Sequence, residues 1–298
     1  MQLRTTNRLS SRPVRLLSAA ASGGLIAVTL TACQPLPHAA LVVGDGSRVA
    51  ISQPSIKAGK DSFVVAGNNK TPGGSSNVTL FQLKGKATGS RVAADLRDEF
   101  NQTPAIAAKG TRELVRDINA LGLADVSTGA HATVTVNLSV GTYYLMDLGN
   151  FSGAGNPIFT PLRVTPGTAT GPLHGQFSVQ ATGADRFVAP NTWPHAGTYL
   201  FTNTATDTLH FMDLERVKPG TTDAQVQAFF NSKSQGPPPF AFNGPSVGIG
   251  NDVVSPGKSI QVSYNLPAGT YVLLCFVADP TTGLPHAVMG MHKVITLT

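Results

Sequence analysis

Short apolar–polar alternation runs through most of this chain, and helical periods are rare. The stretch "RVAISQPSIKAGKDSFVVAGNN" carries two alternating runs around a Pro/Lys/Ala/Gly turn, and "VTLFQL" carries a third. Each predicts a half-buried strand, because successive side chains of a strand point to opposite faces. "ATVTVNL" and "TYYLMDL" follow, then a glycine-rich loop and "TPLRVT". Two segments change period. Residues 91–100 and 111–121 have helical spacing, with Leu114, Val115, Ile118 and Leu121 on one face of the second, so two helices are predicted there.

The pattern then starts again. "PGTATGPLHG", residues 166–175, reads as a linker. "QFSVQAT" opens a second unit, "NTWPHAGTYLFTN" answers "PSIKAGKDSFVVAGN", and "VKPGTTDAQVQAFF" answers "LKGKATGSRVAADL" with Val226 opposite Val92. "SQGPPPFAFNGP" has too many prolines for a strand interior and reads as a surface crossing. "SIQVSYNL", "TYVLLCFV" and "HKVITLT" close the unit. Gly129 aligns with Gly257, and Gly141-Thr142-Tyr143 with Gly269-Thr270-Tyr271. At the same spacing Cys275 falls opposite Asp147, His286 opposite Ile158 and Met291 opposite Arg163. Domain 1 is expected over 40–165 and domain 2 over 176–298. Many short strands with turn residues between them predict an all-β protein of two tandem Greek-key β-sandwiches, with short helical insertions.

Composition adds a compartment. Four arginines (Arg4, Arg8, Arg12, Arg15) and no acids precede Cys33, and an apolar run too short and too rich in small residues for a good membrane span follows them. The run ends in Leu30-Thr31-Ala32-Cys33, which resembles a bacterial lipobox. Residues 1–32 are therefore expected to be a lipoprotein signal peptide and 33–39 a tether. Cys33 would be the lipidated N-terminus, holding the exported protein to the outer face of the bacterial cytoplasmic membrane. Of 22 lysines and arginines, the 18 beyond the leader face 16 acids, so nucleic-acid binding has no electrostatic support. With Cys33 lipidated, Cys275 has no partner for a disulfide, and such a leftover thiol points to a ligand or a reactive group.

Four residues of the second unit carry candidate chemistry: His210 in "DTLHFMDL", Cys275 ending "TYVLLC", His286 in the following loop and Met291 before the last strand. Two imidazoles and a thiolate in a plane, with a weak axial thioether, make a type 1 copper site. The matching places of the first unit hold none of these residues, so the fold itself does not require them. His195 and His292 read as surface residues, and Asp213 and Glu215 as solvated positions of an alternating strand. No GxSxG, HExxH or Walker motif occurs.

At these four residues the chain resembles the cupredoxins, which set one histidine on an early strand and cluster cysteine, histidine and methionine between the last two. "HAVMGM" matches that family's histidine-to-methionine spacing. The resemblance implies a cupredoxin-like fold in both units and copper bound only by His210, Cys275, His286 and Met291. It implies one-electron transfer or copper holding with a redox or protein partner, and no enzymatic activity. Ten residues separate Cys275 from His286, more than is usual in that family. The rival readings are a metal-free binding or structural lipoprotein of the same fold, and a thiol enzyme using Cys275 with His286 as base.

Overall fold

The computed structural model describes residues 39–298 apart from 72, 233, 235 and 245–248. The expected signal peptide, Cys33 and the tether up to residue 38 lie outside the described residues. Nine strands form in the first half: β1 (Ala40–Gly44), β2 (Val49–Ile51), β3 (Ser55–Lys57), β4 (Gly59–Gly67), β5 (Ser75–Leu83), β6 (Ile118–Ser127), β7 (His131–Leu138), β8 (Gly141–Asp147) and β9 (Thr160–Thr165). Nine follow in the second: β10 (Phe177–Thr182), β11 (Arg186–Val188), β12 (Thr192–Trp193), β13 (Ala196–Asn203), β14 (His210–Val217), β15 (Ile249–Val254), β16 (Ser259–Asn265), β17 (Gly269–Leu274) and β18 (His292–Leu297).

They build two sheets, in the orders β11-β10-β13-β16-β7-β4-β1-β2 and β12-β18-β17-β14-β15-β6-β5-β8-β9-β3. Each order reads the same from either end once every strand is exchanged for its counterpart nine places away. Each half is thus a sandwich of the same topology. The halves meet along β7–β16 and β6–β15, both antiparallel, so both sheets run unbroken across the boundary. Antiparallel pairing at both seams removes four exposed strand edges, which would otherwise be open to pairing with other chains.

The repeat is visible in backbone detail. Gly141 and Gly269 open β8 and β17 with φ of 151° and 153°, a conformation that favours glycine. The Tyr143 hydroxyl accepts from the Ser139 N–H at 3.0 Å, and the Tyr271 hydroxyl donates to the Pro267 carbonyl at 2.9 Å, each four residues back. Helices α1 (Gly89–Glu99) and α3 (Asp223–Asn231) start from the same kind of cap. Thr88 accepts from the Arg91 N–H and Thr222 from the Gln225 N–H, both at 3.3 Å, which satisfies a donor that the helix start leaves open. Val92 and Val226, aligned from sequence, are both fully buried.

Helix α2 (Pro104–Asp117) has no counterpart in the second half among the described residues. It begins with proline in its first turn, where the missing N–H costs nothing. The helix expected over 111–121 starts earlier and stops sooner. At Ile118 the backbone turns extended (φ −128°, ψ 153°) and enters β6. There Ile118 pairs with Leu83, and Leu121 with Val254. Sheet pairing on both sides of β6 outweighs the local helical spacing, a tertiary override of propensity.

Candidate metal centre

Strand pairing brings the chemistry together. β14 and β17 are neighbours, with Asp213 opposite Leu274, so His210 at the start of β14 and Cys275 just past β17 share one end of the sheet. A register shift against β15 lies between His210 and Met212. His286 returns through a folded-back loop. Its N–H donates to the Val277 carbonyl at 3.0 Å, and the Ala287 N–H donates to Cys275 at 2.7 Å. The Met291 N–H donates to the His286 carbonyl at 2.9 Å, which closes the segment before β18. The ten residues between Cys275 and His286 therefore do not separate them in space.

The Cys275 sulfur lies 3.7 Å from Nδ1 of His210 and 3.6 Å from Nδ1 of His286. The two imidazole rings are 4.7 Å apart at 50°. All three side chains, and Met291, are fully buried. These spacings fit an ion. Bonds of about 2.0 Å to imidazole and about 2.3 Å to thiolate, at trigonal angles, hold nitrogen and sulfur about 3.7 Å apart. In the metal-free protein the same spacing is within reach of an S–H···N hydrogen bond.

The electrostatics describe a site that needs a cation to become charged. Burial pushes the Cys275 thiol up to about 12, although the N–H groups of Phe211 and Val277 point at the sulfur and oppose the rise. Burial likewise lowers His286 to about 4 and, together with the neighbouring His286, takes His210 well below the usual histidine range. Burial thus favours a neutral thiol between two neutral imidazoles in the metal-free group. Nε2 of each histidine is buried without a hydrogen-bond partner. Neutral imidazole is the form that binds metal, and a cation favours the thiolate that burial disfavours.

Two acidic residues stand behind His286 that sequence reading did not single out. Asp185 Oδ1 is 3.5 Å from His286 Nε2, and Asp279 completes a group whose ligand atoms all lie within 4.8 Å of one another. Burial, and next the Asp279 charge, raise Asp185 to about 6. Asp185 is the one non-glycine residue with positive φ among the described residues (51°), in the turn from β10 to β11. A turn aspartate is common enough to give no signal in sequence. Asp213 is buried, not solvated, because β14 is an interior strand between β15 and β17. His292 is held by Asp223 at 3.1 Å and Gln227 at 3.0 Å, straps to α3.

The register also corrects the alignment of the two loops. Gly141 pairs with Val164 and Gly269 with Leu297, so the offset between copies grows from 128 at the glycines to 133 at the partners. The second copy is five residues longer between its last two strands, and Ile158, not Arg163, faces Met291. The sequence alignment held the spacing constant because Pro157 and Pro285 happened to match.

No family model matches the chain, and no curated protein matches it. Similar solved structures include auracyanin from Roseiflexus castenholzii, 24% identical over 41% of this chain and 94% of that one, with a TM-score of 0.26. The laccase-like multicopper oxidase CueO from Ochrobactrum sp. is 10% identical over 87% of this chain and 66% of its own, at 0.27. Copper nitrite reductase from Nitrosomonas europaea is 8% identical over 87% and 93%, at 0.23. The expectation of no enzymatic activity is withdrawn on this comparison, since two of these three are enzymes. The strand-dominated chain, with its two sheets and few helices, is an all-β protein.

Proposed function

We propose that the chain is an extracytoplasmic copper protein that carries single electrons. It would be held to the membrane by a lipid on Cys33 and would meet a redox partner there. The observation that carries this reading is the triad of Cys275 with two histidine Nδ1 atoms at 3.6 and 3.7 Å, closed off from water. His210, Cys275 and His286 would hold the ion, and Met291 would be the weak fourth ligand. Bound copper supplies a one-electron couple at this place. The chain contributes the rest. β14 and β17 fix His210 and Cys275 on neighbouring strands, so their donors move little. The Phe211 and Val277 N–H groups favour the thiolate. Burial excludes water that would otherwise reorganise with each change of charge. The donor set is mixed. The sulfurs suit Cu(I) and the imidazoles also suit Cu(II), so both oxidation states are accommodated.

The test uses the protein from which the leader has been removed. Loading with Cu(II) is expected to give one copper per chain and intense thiolate-to-copper absorption in the visible. A colourless protein with a freely titratable thiol would overturn the reading. Anchoring is tested separately, by mass spectrometry of the mature N-terminus. A diacyl or triacyl chain on Cys33 is expected, because two or more chains are needed for stable tethering. An unmodified N-terminus elsewhere would refute it.

A further inference from the structure

Two departures from the repeat's symmetry lie together in the fold. Among the described residues helix α2 exists only in the first half, and the five added loop residues lie in the second. The Thr111 hydroxyl of α2 donates to the Ala278 carbonyl at 2.8 Å, and the Arg112 guanidinium donates to the Pro280 carbonyl. The Ala278 N–H in turn donates to Glu99 at the end of α1, at 3.3 Å. Gly283, at the loop tip with φ 71°, lies so close to the Pro104 carbonyl that any Cβ would collide with it. Thr111 is fully buried at this contact. The loop held this way is the one that carries His286. Its own bonds gather at the tip around Asp279, which donates its N–H to Leu284, accepts from the Gly283 N–H on its carbonyl and from the Thr281 and Thr282 N–H groups on its carboxylate, while the His286 N–H donates to Val277 at the loop's end.

We propose that the α1–α2 pair of the first half is a clamp for the His286 loop, with Thr111 and Arg112 as positioning residues that fix His286 relative to Cys275. The first half is then part of the metal site without supplying a ligand. The inference rests on the copper reading for its consequence and on the contacts above for its mechanism. Without the helix pair, the loop would rest on its own bonds and on the two that tie His286 to Val277 and Ala287 to Cys275, and the position of His286 relative to the sulfur would be less narrowly fixed. Anchoring it to a helix pair lowers the number of loop conformations that compete with the binding one.

The experiment compares the leaderless wild type with Thr111→Val/Arg112→Met and with Lys109→Met. The control sits on α2 and pairs with Asp98 of α1 at 2.6 Å. Amide hydrogen exchange is measured on the metal-free proteins. In the double variant the amides of Asp279, Gly283 and His286 are expected to exchange about 2- to 30-fold faster, the range for residues that couple two regions, while those of β17 do not change. On the copper-loaded proteins, Cu(II) affinity is expected to fall by about 2- to 30-fold. The intense band should persist and the reduction potential should shift from that of Lys109→Met. Thr111→Val alone, which keeps the side chain's shape, guards against misfolding of the double variant and should move the same amides less. Loop exchange equal to wild type, or faster exchange spread evenly over the whole chain, would overturn the clamp. So would a faster loop whose copper affinity and potential match Lys109→Met. A wild type that takes up no copper would sink the copper reading, and the exchange arm would still decide whether the helices hold the loop.

Discussion

The same corner of the fold is solved in two ways. In the second half it holds Cys275, His210 and His286. In the first half Asp147 stands in place of Cys275, and Ser76 in place of His210. The Asp147 carboxylate accepts from the Gly46 N–H at 2.7 Å, the Asn77 N–H at 2.8 Å and the Gly149 N–H at 2.9 Å. The Ser76 hydroxyl donates to the Gly44 carbonyl at 2.8 Å. Burial nonetheless raises Asp147 above the usual carboxylate range, against the pull of those N–H groups. One corner is thus closed by a carboxylate that collects backbone donors. The other holds soft and nitrogen donors, with Asp185 at 3.5 Å from the outer nitrogen of His286 and no well-formed hydrogen bond to the outer nitrogen of either histidine. A fold that can close this corner with hydrogen bonds does not need a thiol and two imidazoles for stability. Their presence in one copy marks a ligand site.

The sharpest way to break the comparison is Cys275→Ser. It should abolish the intense visible absorption of the copper-loaded protein and leave the far-UV circular dichroism unchanged. A hydroxyl is no thiolate, and the first half shows that the fold tolerates an oxygen there. Persistence of the band would place the metal elsewhere.

Asp147→Ala tests the other corner. Three backbone N–H groups lose their acceptor, so urea unfolding should show a loss of about 3 kcal/mol or more. Copper absorption should be unchanged. A loss of copper with no loss of stability would reverse the roles assigned to the two corners.

In the metal-free protein pH should act in opposite directions through His286 of the second half and Asp95 of the first. His286 falls from 6.5 to about 4 on folding. The unfolded chain therefore binds a proton that the folded one refuses, and stability present above about pH 6.5 is lost as pH falls toward 4. For His286 this is about 3 kcal/mol, from about 1.4 kcal/mol per unit. His286→Gln should flatten that acid limb in denaturant titrations. Asp95, between α1 and α2, moves the other way, from 3.8 to about 7, through burial first and then its neighbours Asp117 and Glu113. Its contribution is complete below about pH 3.8 and is lost as pH rises through about 7. Asp95→Asn should remove that loss, and an unchanged alkaline limb would refute the assignment.

The smallest effect belongs to Met291→Leu. The swap nearly conserves volume, so stability should change by less than about 1.5 kcal/mol. Colour should persist while the reduction potential shifts, because Met291 as a weak fourth ligand would tune the couple without making the thiolate bond. An unchanged potential would remove Met291 from the ligand set.

The all-β class and the repeat were legible in sequence because half-buried strands alternate and because Gly141 and Gly269 need a backbone that favours glycine. His210, Cys275 and His286 could be picked out because the first copy lacks them, a comparison that needs no structure. What failed in sequence failed where both faces of an element are covered. β6 and β15, the strands that join the halves, are buried along nearly their whole length, so neither shows the two-residue alternation of a half-buried strand. The start of β6 even carries helical spacing and loses it to the sheet. Only the tertiary structure could set the true loop register, because strand pairing counts residues that a chance proline match conceals. Only it could place Asp185 behind His286 and α2 against the ligand loop. Those contacts join residues about 100 and 170 positions apart, and no local pattern records which distant segment will fill a given space.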